Sequence, residues 1–290
     1  MHRRFETGDE AGVDRSLCAA AAVPHLLRSQ GTLDLSFRQR ENRTTIDRSY
    51  QAGCLRMRQV ADGEDACAVL INTAGGVADG DRLDQRIAWE EGAVATVTTQ
   101  AAEKIYRALS AGCAISTRLT VARGARAEWL PQETILFDRA RLRRDAQIVL
   151  AEDVTFLGLE AVVLGRAAMG ETVTSGSLRD RMRIWRNGRL IYADTLALDG
   201  DIAALMDKAP IGNGARAMAV IVHASTEASA LRDPVREALE NAAGLAAASS
   251  WNDLLAVRLL APDSEVLRRD IGLTLSVLRQ GRPLPRVWRC

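Results

Sequence analysis

Lysine and histidine are nearly missing from this chain. Lys104 and Lys208 are the only lysines, and His2, His25 and His223 the only histidines. With only three scattered imidazoles, neither a Ser-His-Asp arrangement nor a His-rich metal store can be assembled convincingly. His2 and His25 fall in or beside an N-terminal leader, and His223, at a strand end, reads as structural. No Gly-x-x-x-x-Gly-Lys-Ser/Thr loop occurs, which removes the usual apparatus for nucleotide hydrolysis. No apolar run approaches the ~20 residues of a membrane-spanning helix. No excess of one charge exists either: 38 Lys plus Arg stand against 37 Asp plus Glu, so no global field attracts nucleic acid or an anionic membrane. The expected partners therefore include neither. Cys18, Cys54, Cys67, Cys113 and Cys290 are odd in number and contain no Cys-x-x-Cys pair, which fits a reduced, cytoplasmic setting better than a disulfide framework.

What is present begins with acidic residues. Glu6, Asp9, Glu10 and Asp14 precede the short Leu17 to Val23 stretch, whereas a secretory signal wants a basic start and a longer apolar region. Residues 1–25 are expected to be a disordered leader. Strand patterns follow. Leu33, Leu35 and Phe37 alternate with polar neighbours, as do Ile115, Thr117, Leu119 and Val121, and, less cleanly, Ala146, Ile148 and Leu150; a period of two specifies a strand with one wet face. Asn187-Gly188 between two apolar runs predicts a tight hairpin. Turns before strands recur at Glu91-Gly92, Arg123-Gly124 and Glu152-Asp153, a spacing of roughly 30 residues that suggests stacked β layers.

The pattern changes after about Ile202. Residues 26–202 are expected to form a mainly β body, and residues 203–290 an α/β portion packed on it. Within the latter, Ala217 to Val222 and Leu254 to Leu260 read as strands. Asp233-Pro234 reads as the start of a helix running to about Ala247. Asp263 opens a second helix with Leu267, Ile271, Leu275 and Leu278 on one face, ended by Gly281 and Pro283.

Chemistry concentrates in carboxylates: Asp81, Glu128, Glu133, Asp138, Glu160 and Glu171. Glu128 and Glu133 flank the apolar Trp129-Leu130-Pro131, which draws them toward the core, where a carboxylate must be paired, hydrogen-bonded or wet. Lys104, Tyr106 and Arg107 are candidates to pair with them, in which case the acids fix the stack. Otherwise they line a water-filled passage, where carboxylate and water ligands hold a divalent first-row metal more weakly than imidazole or thiolate. A different reading makes Glu128 and Glu133 the general acid and base of a β-helical hydrolase. A third makes the chain a pure interaction module with a dry core.

Three runs in order carry a resemblance: Gly75-Gly76-Val77-Ala78-Asp79-Gly80-Asp81-Arg82-Leu83, then Thr98-Thr99-Gln100-Ala101-Ala102-Glu103-Lys104-Ile105-Tyr106-Arg107, then Glu128-Trp129-Leu130-Pro131-Gln132-Glu133-Thr134-Ile135. With the tail Pro285-Arg286-Val287-Trp288, they resemble the urease accessory protein family UreD, called UreH in some bacteria. The resemblance runs from about Gly31 to the C-terminus. Ala74 departs from it, standing where the family usually has proline. The resemblance implies a β-helix-like stack of strands with two α-helices in the C-terminal third. It also implies a non-catalytic scaffold that binds the urease apoprotein with UreF and the GTPase UreG and helps insert nickel, with nickel in transit and no permanently bound cofactor. Asp81, Glu128, Glu133, Asp138, Glu160 and Glu171 become candidates for the nickel path. Thr99, Lys104 and Arg107 become candidate partner-facing or structural polar residues.

Overall fold

The computed structural model describes residues 28–41, 43–61, 65–166 and 169–289; the expected leader, Cys18 and Cys290 lie outside them. In chain order the strands of the first half are β1 (Gln30–Arg40), β2 (Arg43–Gly53), β3 (Leu55–Ala61), β4 (Ala66–Asn72), β5 (Arg82–Trp89), β6 (Val94–Thr99), β7 (Glu103–Ile105), β8 (Cys113–Val121) and β9 (Arg126–Leu130). Then come β10 (Thr134–Leu136), β11 (Arg141–Leu150), β12 (Thr155–Leu164), β13 (Gly176–Arg186), β14 (Arg189–Gly200), β15 (Ala217–Ala224), β16 (Leu245–Trp251) and β17 (Leu254–Ala261). The helices are α1 (Ile202–Asp207), α2 (Ala228–Leu239) and α3 (Ser264–Leu278).

Two sheets result. The first orders its strands β14-β13-β11-β8-β5-β1-β2; the second orders them β16-β17-β15-β12-β9-β6-β4-β3, with β10 beside β12 and β7 beside β10. From β4 to β13 the chain passes back and forth between the sheets, laying down parallel strands in each. Arg82, Ala114, Arg143 and Arg179 therefore lie in one register row across the first sheet. Ala66, Ala95, Ala127 and Phe156 do the same across the second. The turn spacing suggested stacked β layers, and this stacked-coil arrangement is the β-helix-like stack that the resemblance implies. The three recurring turns are equivalent corners: Gly92, Gly124 and Asp153 all have positive φ, at 69°, 68° and 53°, a region open to glycine and tolerated by aspartate.

One core fills the space between the sheets, where Leu33, Leu35, Phe37, Trp89, Leu119, Ile148 and Phe156 are enclosed. Trp89 and Phe37 stack at 5.8 Å. A second core lies on the outer face of the second sheet, where α2 and α3 cover Leu157, Leu159, Ile221 and Val257. Asp263 caps α3 by accepting from the Val266 amide at 2.9 Å, and Leu267, Ile271, Leu275 and Leu278 are buried as expected. The helix ends through the Gln280 and Gly281 amides, which donate to Val277 and Ser276 carbonyls, with positive φ at both residues. That is the reciprocal closure favoured at helix ends. Asn187 and Gly188, at φ 50° and 73°, make the expected β13–β14 hairpin.

One expected boundary was wrong. Helix α2 begins at Ala228 rather than Asp233, holds Pro234 in its interior and stops at Leu239. Its start is set by Ser225, whose hydroxyl accepts from the Glu227 amide at 3.2 Å. The residues expected to continue it form β16, because the free edge of β17 offers Leu245–Trp251 a full ladder of hydrogen bonds; pairing overrides the helix preference of an alanine-rich run. The short helix α1 was not anticipated.

Candidate functional site

Strand β9 decides the fate of two candidate carboxylates. Alternation points Trp129 into the space between the sheets and Glu128 outward, under the helices. Glu128 accepts from the Thr96 hydroxyl at 2.6 Å, from Arg279 at 3.0 to 3.2 Å, and from Arg282 at 2.7 Å. Burial alone would raise its pKa, but the Arg279 charge and hydrogen bonds, then Arg282 and Thr96, outweigh burial and hold it low. Arg282 continues to Asp65 at 3.0 Å, and Asp65 to Arg126 at 2.8 Å. The pairing expected from Lys104, Tyr106 and Arg107 is thus supplied instead by arginines at the end of α3.

The same arginines tie down the C-terminal tail. Arg279 donates to the carbonyls of Arg282 and Pro283. Gln132 donates to the Val287 carbonyl at 2.9 Å, and Arg268 to the Gln132 side chain and the Trp288 carbonyl. The Trp288 indole donates to Thr98 and the Leu130 carbonyl. The second and third sequence runs and the tail run, far apart in the chain, therefore meet at one place. Glu133 stands at its rim, 3.7 Å from Arg268.

Between the sheets lies a second network. Arg144 is buried on the inward face of β11 and meets two carboxylates, Glu160 at 2.7 Å and Asp180 at 2.6 Å. It also donates to the Thr134 hydroxyl at 2.8 Å, and the Trp129 indole donates to Glu160 at 3.1 Å. The Glu160 pKa is raised: burial pushes it up, Arg144 opposes, and the Asp180 charge adds to the rise. Glu160 and Asp180 border a cavity of about 290 Å³ walled mainly by aliphatic and methionine side chains, with Asp194 and Arg258 also on its wall. Those two pair at 2.9 Å.

A third grouping sits at a surface corner. Asp138 accepts from the Thr174 and Ser175 amides, and its own amide donates to Glu171. Glu171 pairs with Arg166 at 2.8 Å, whose guanidinium lies 4.3 Å over the Phe137 ring. Tyr106, Arg107, Phe137, Asp138, Arg166 and Glu171 line one open depression. Burial opposes but does not prevent low pKa values at Asp138, where Ser175 and Thr174 are the main donors; at Glu171 the Arg166 hydrogen bond leads.

The remaining candidates lie elsewhere. Asp81 is buried and accepts from the Ser29 and Ala78 amides at 2.6 and 2.8 Å. Asp79, not singled out in the sequence, holds the 109–112 turn through three amides and the Ser110 hydroxyl. Thr99 accepts from the Gln132 amide at 2.8 Å. Thr99 and Lys104 border a cavity of about 210 Å³ with Glu103. Glu103 is another omission: burial lifts its pKa to about 7, against the lowering effects of Asn72 and Lys104. Half-buried in the three-residue strand β7, beside exposed Lys104, it escapes any periodicity. His223 is buried, with Nε2 2.9 Å from the Ser225 hydroxyl, and burial drops its pKa to about 4 against the Glu128 charge.

Glu128 and Glu160 thus lie on opposite faces of one sheet, and Glu128 and Glu133 do not share a cleft. Among the described residues, no three His, Cys, Asp or Glu side chains converge as a metal-holding group. No described helix is long and apolar enough to cross a membrane.

Coiled parallel strands in two sheets, described helices that all fall in the C-terminal part and buried acids clamped by arginine define a β-solenoid protein with an ionic interior. The chain belongs to the UreD urease accessory protein family, whose model matches residues 29–289. The Urease accessory protein UreD of Rhizobium etli is 44% identical over 275 residues, covering 94% of this chain and 99% of the relative. That of Azorhizobium caulinodans is 42% identical over 269 residues, covering 92% and 99%. That of Xanthobacter autotrophicus is 43% identical over 275 residues, covering 95% of each.

Proposed function

We propose that this chain serves urease maturation as a non-catalytic cytoplasmic scaffold, binding the urease apoprotein together with UreF and UreG and helping nickel reach the enzyme. Family membership across residues 29–289 carries this reading. Nickel is cargo in transit, with no cofactor held permanently. Two features of the molecule support a transfer role. Glu160, Asp180 and Asp194 face a cavity between the sheets, and Asp138 and Glu171 face an open depression at one corner. Oxygen ligands of this kind release a divalent cation readily. The hydrolase alternative has no comparable support, since Glu128 is enclosed by two guanidiniums and Glu133 faces Arg268. The deciding experiment is co-expression of apo-urease, UreF and UreG with and without this chain, followed by nickel analysis of the purified urease. Loading that depends on the chain is expected. Fully loaded urease without it, under scarce nickel, would end the proposal.

A further inference from the structure

The two sheets differ on their outer faces. The second is covered by α2, α3 and the C-terminal tail, whereas the first leaves alternate residues of β5, β8, β11 and β13 exposed or half-buried. Sheets built of parallel strands are usually covered on both faces. At the outward positions of these four strands stand eight arginines and two aspartates, Asp84 and Asp145, with no lysine or glutamate. Asp145 takes up Arg181 and Arg183. Arg82, Arg86, Arg118, Arg141, Arg143 and Arg179 have no carboxylate within ion-pair distance among the described residues, although Arg118 reaches the Gln147 side chain at 3.4 Å.

The coil register brings four of the six together. Arg82, Arg143 and Arg179 share one row, and Arg141 lies two residues from Arg143 on the same face. All four line a depression of about 500 Å³. Asp81 also borders it, but its oxygens are engaged by the Ser29 and Ala78 amides, so the positive charge of the arginines dominates. We propose that this bare face is the docking surface for an acidic face of a partner protein, centred on the depression walled by Arg82, Arg141, Arg143 and Arg179.

Charge complementarity identifies the occupant. Arginine forks match carboxylates bidentately and are enriched at protein interfaces. A nucleic acid fits less well. Binding of single strands relies on aromatic stacking platforms, and Trp185 is the one aromatic at these outward positions. The interspersed Asp84 and Asp145 would repel phosphates yet suit a protein surface of mixed charge. The formal net charge of +1 also leaves little long-range pull on a polyanion. The inference rests on the reading that the chain works within a protein assembly and goes beyond it by naming the face.

The test uses the full chain and a fluorescent oligoglutamate peptide, with binding followed by anisotropy as salt is raised. Binding that weakens with salt is expected, and Arg143→Glu or Arg179→Glu should each weaken it roughly tenfold at low salt. Arg232→Glu, on α2, should leave it unchanged. Arg143→Gln guards against a folding defect, and melting curves should match for all variants. Equal binding by the variants, or no binding at all, overturns the proposal. Tighter binding of an oligothymidylate than of the peptide overturns it in favour of nucleic acid. Repeating the co-expression with Arg143→Glu separates the two readings. Loading that needs the chain but ignores this substitution sinks the docking face alone; peptide binding alongside chain-independent loading sinks the proposed function alone.

Discussion

The two buried ion networks are mirror images in stoichiometry. Under the helices one carboxylate, Glu128, is shared by two guanidiniums; between the sheets one guanidinium, Arg144, is shared by two carboxylates. Burial acts alike on Glu128 and Glu160, yet the first is held low and the second driven up. Glu103 extends the series. It has an amide partner but no guanidinium, and burial lifts it to about 7. Across these three acids the number of guanidiniums tracks the direction of the shift, whereas buried Asp79, with no cation beside it, is held low by the Ser110 hydroxyl and backbone amides alone.

Removing the lone guanidinium should have the largest effect. Arg144→Met strands Glu160 and Asp180 together, with an expected loss of about 4 kcal/mol in urea unfolding. Adding Glu160→Gln should recover part of that loss; no recovery would break the mirror relation.

Glu128→Gln comes next. It leaves buried Arg279 without its counter-charge, with an expected cost of about 3 kcal/mol at neutral pH. Hydrogen exchange should also show the tail from Arg279 to Arg289 losing protection. The sign with pH follows from the lowered pKa. The Glu128 contribution is complete above the unfolded carboxylate value of 4.5 and is lost as pH falls through its lower folded value. The deficit of the variant should therefore shrink in acid.

Glu103 carries the opposite sign. Its folded pKa lies above the unfolded 4.5, so its contribution is present below that value and is lost as pH rises toward about 7. On the order of 2 kcal/mol should disappear across this window, and Glu103→Gln should flatten that slope in pH-dependent melting. An unchanged slope would remove Glu103 from the series. The smallest effect is expected from Arg268→Lys, which loses the fork joining Gln132 to the Trp288 carbonyl. About 1 kcal/mol of stability and faster proteolysis of the tail should result.

Much of the architecture was legible beforehand because it is written in local periods. The inward residues of β1, β8 and β11, the Asn187-Gly188 turn and the apolar face of α3 each follow from spacing over a few residues. Helix α2 was misplaced because Ser225 signals its start more quietly than Asp233-Pro234, and because β16 exists only through its pairing with β17. The spatial relations among the candidate acids were not legible. Asp138 and Glu171 proved neighbours, Glu128 and Glu133 did not, and Glu103 was overlooked.

Local sequence by itself determined the coil: alternation sets which side chains turn inward, and residues tolerant of positive φ at Gly92, Gly124 and Asp153 set where each coil bends. Tertiary structure alone decided what each buried acid meets. Arg279 lies 151 residues from Glu128 in the chain, and Trp288 lies 190 residues from Thr98. No periodicity reaches across such distances, because those contacts form only when the helix layer closes over a completed sheet.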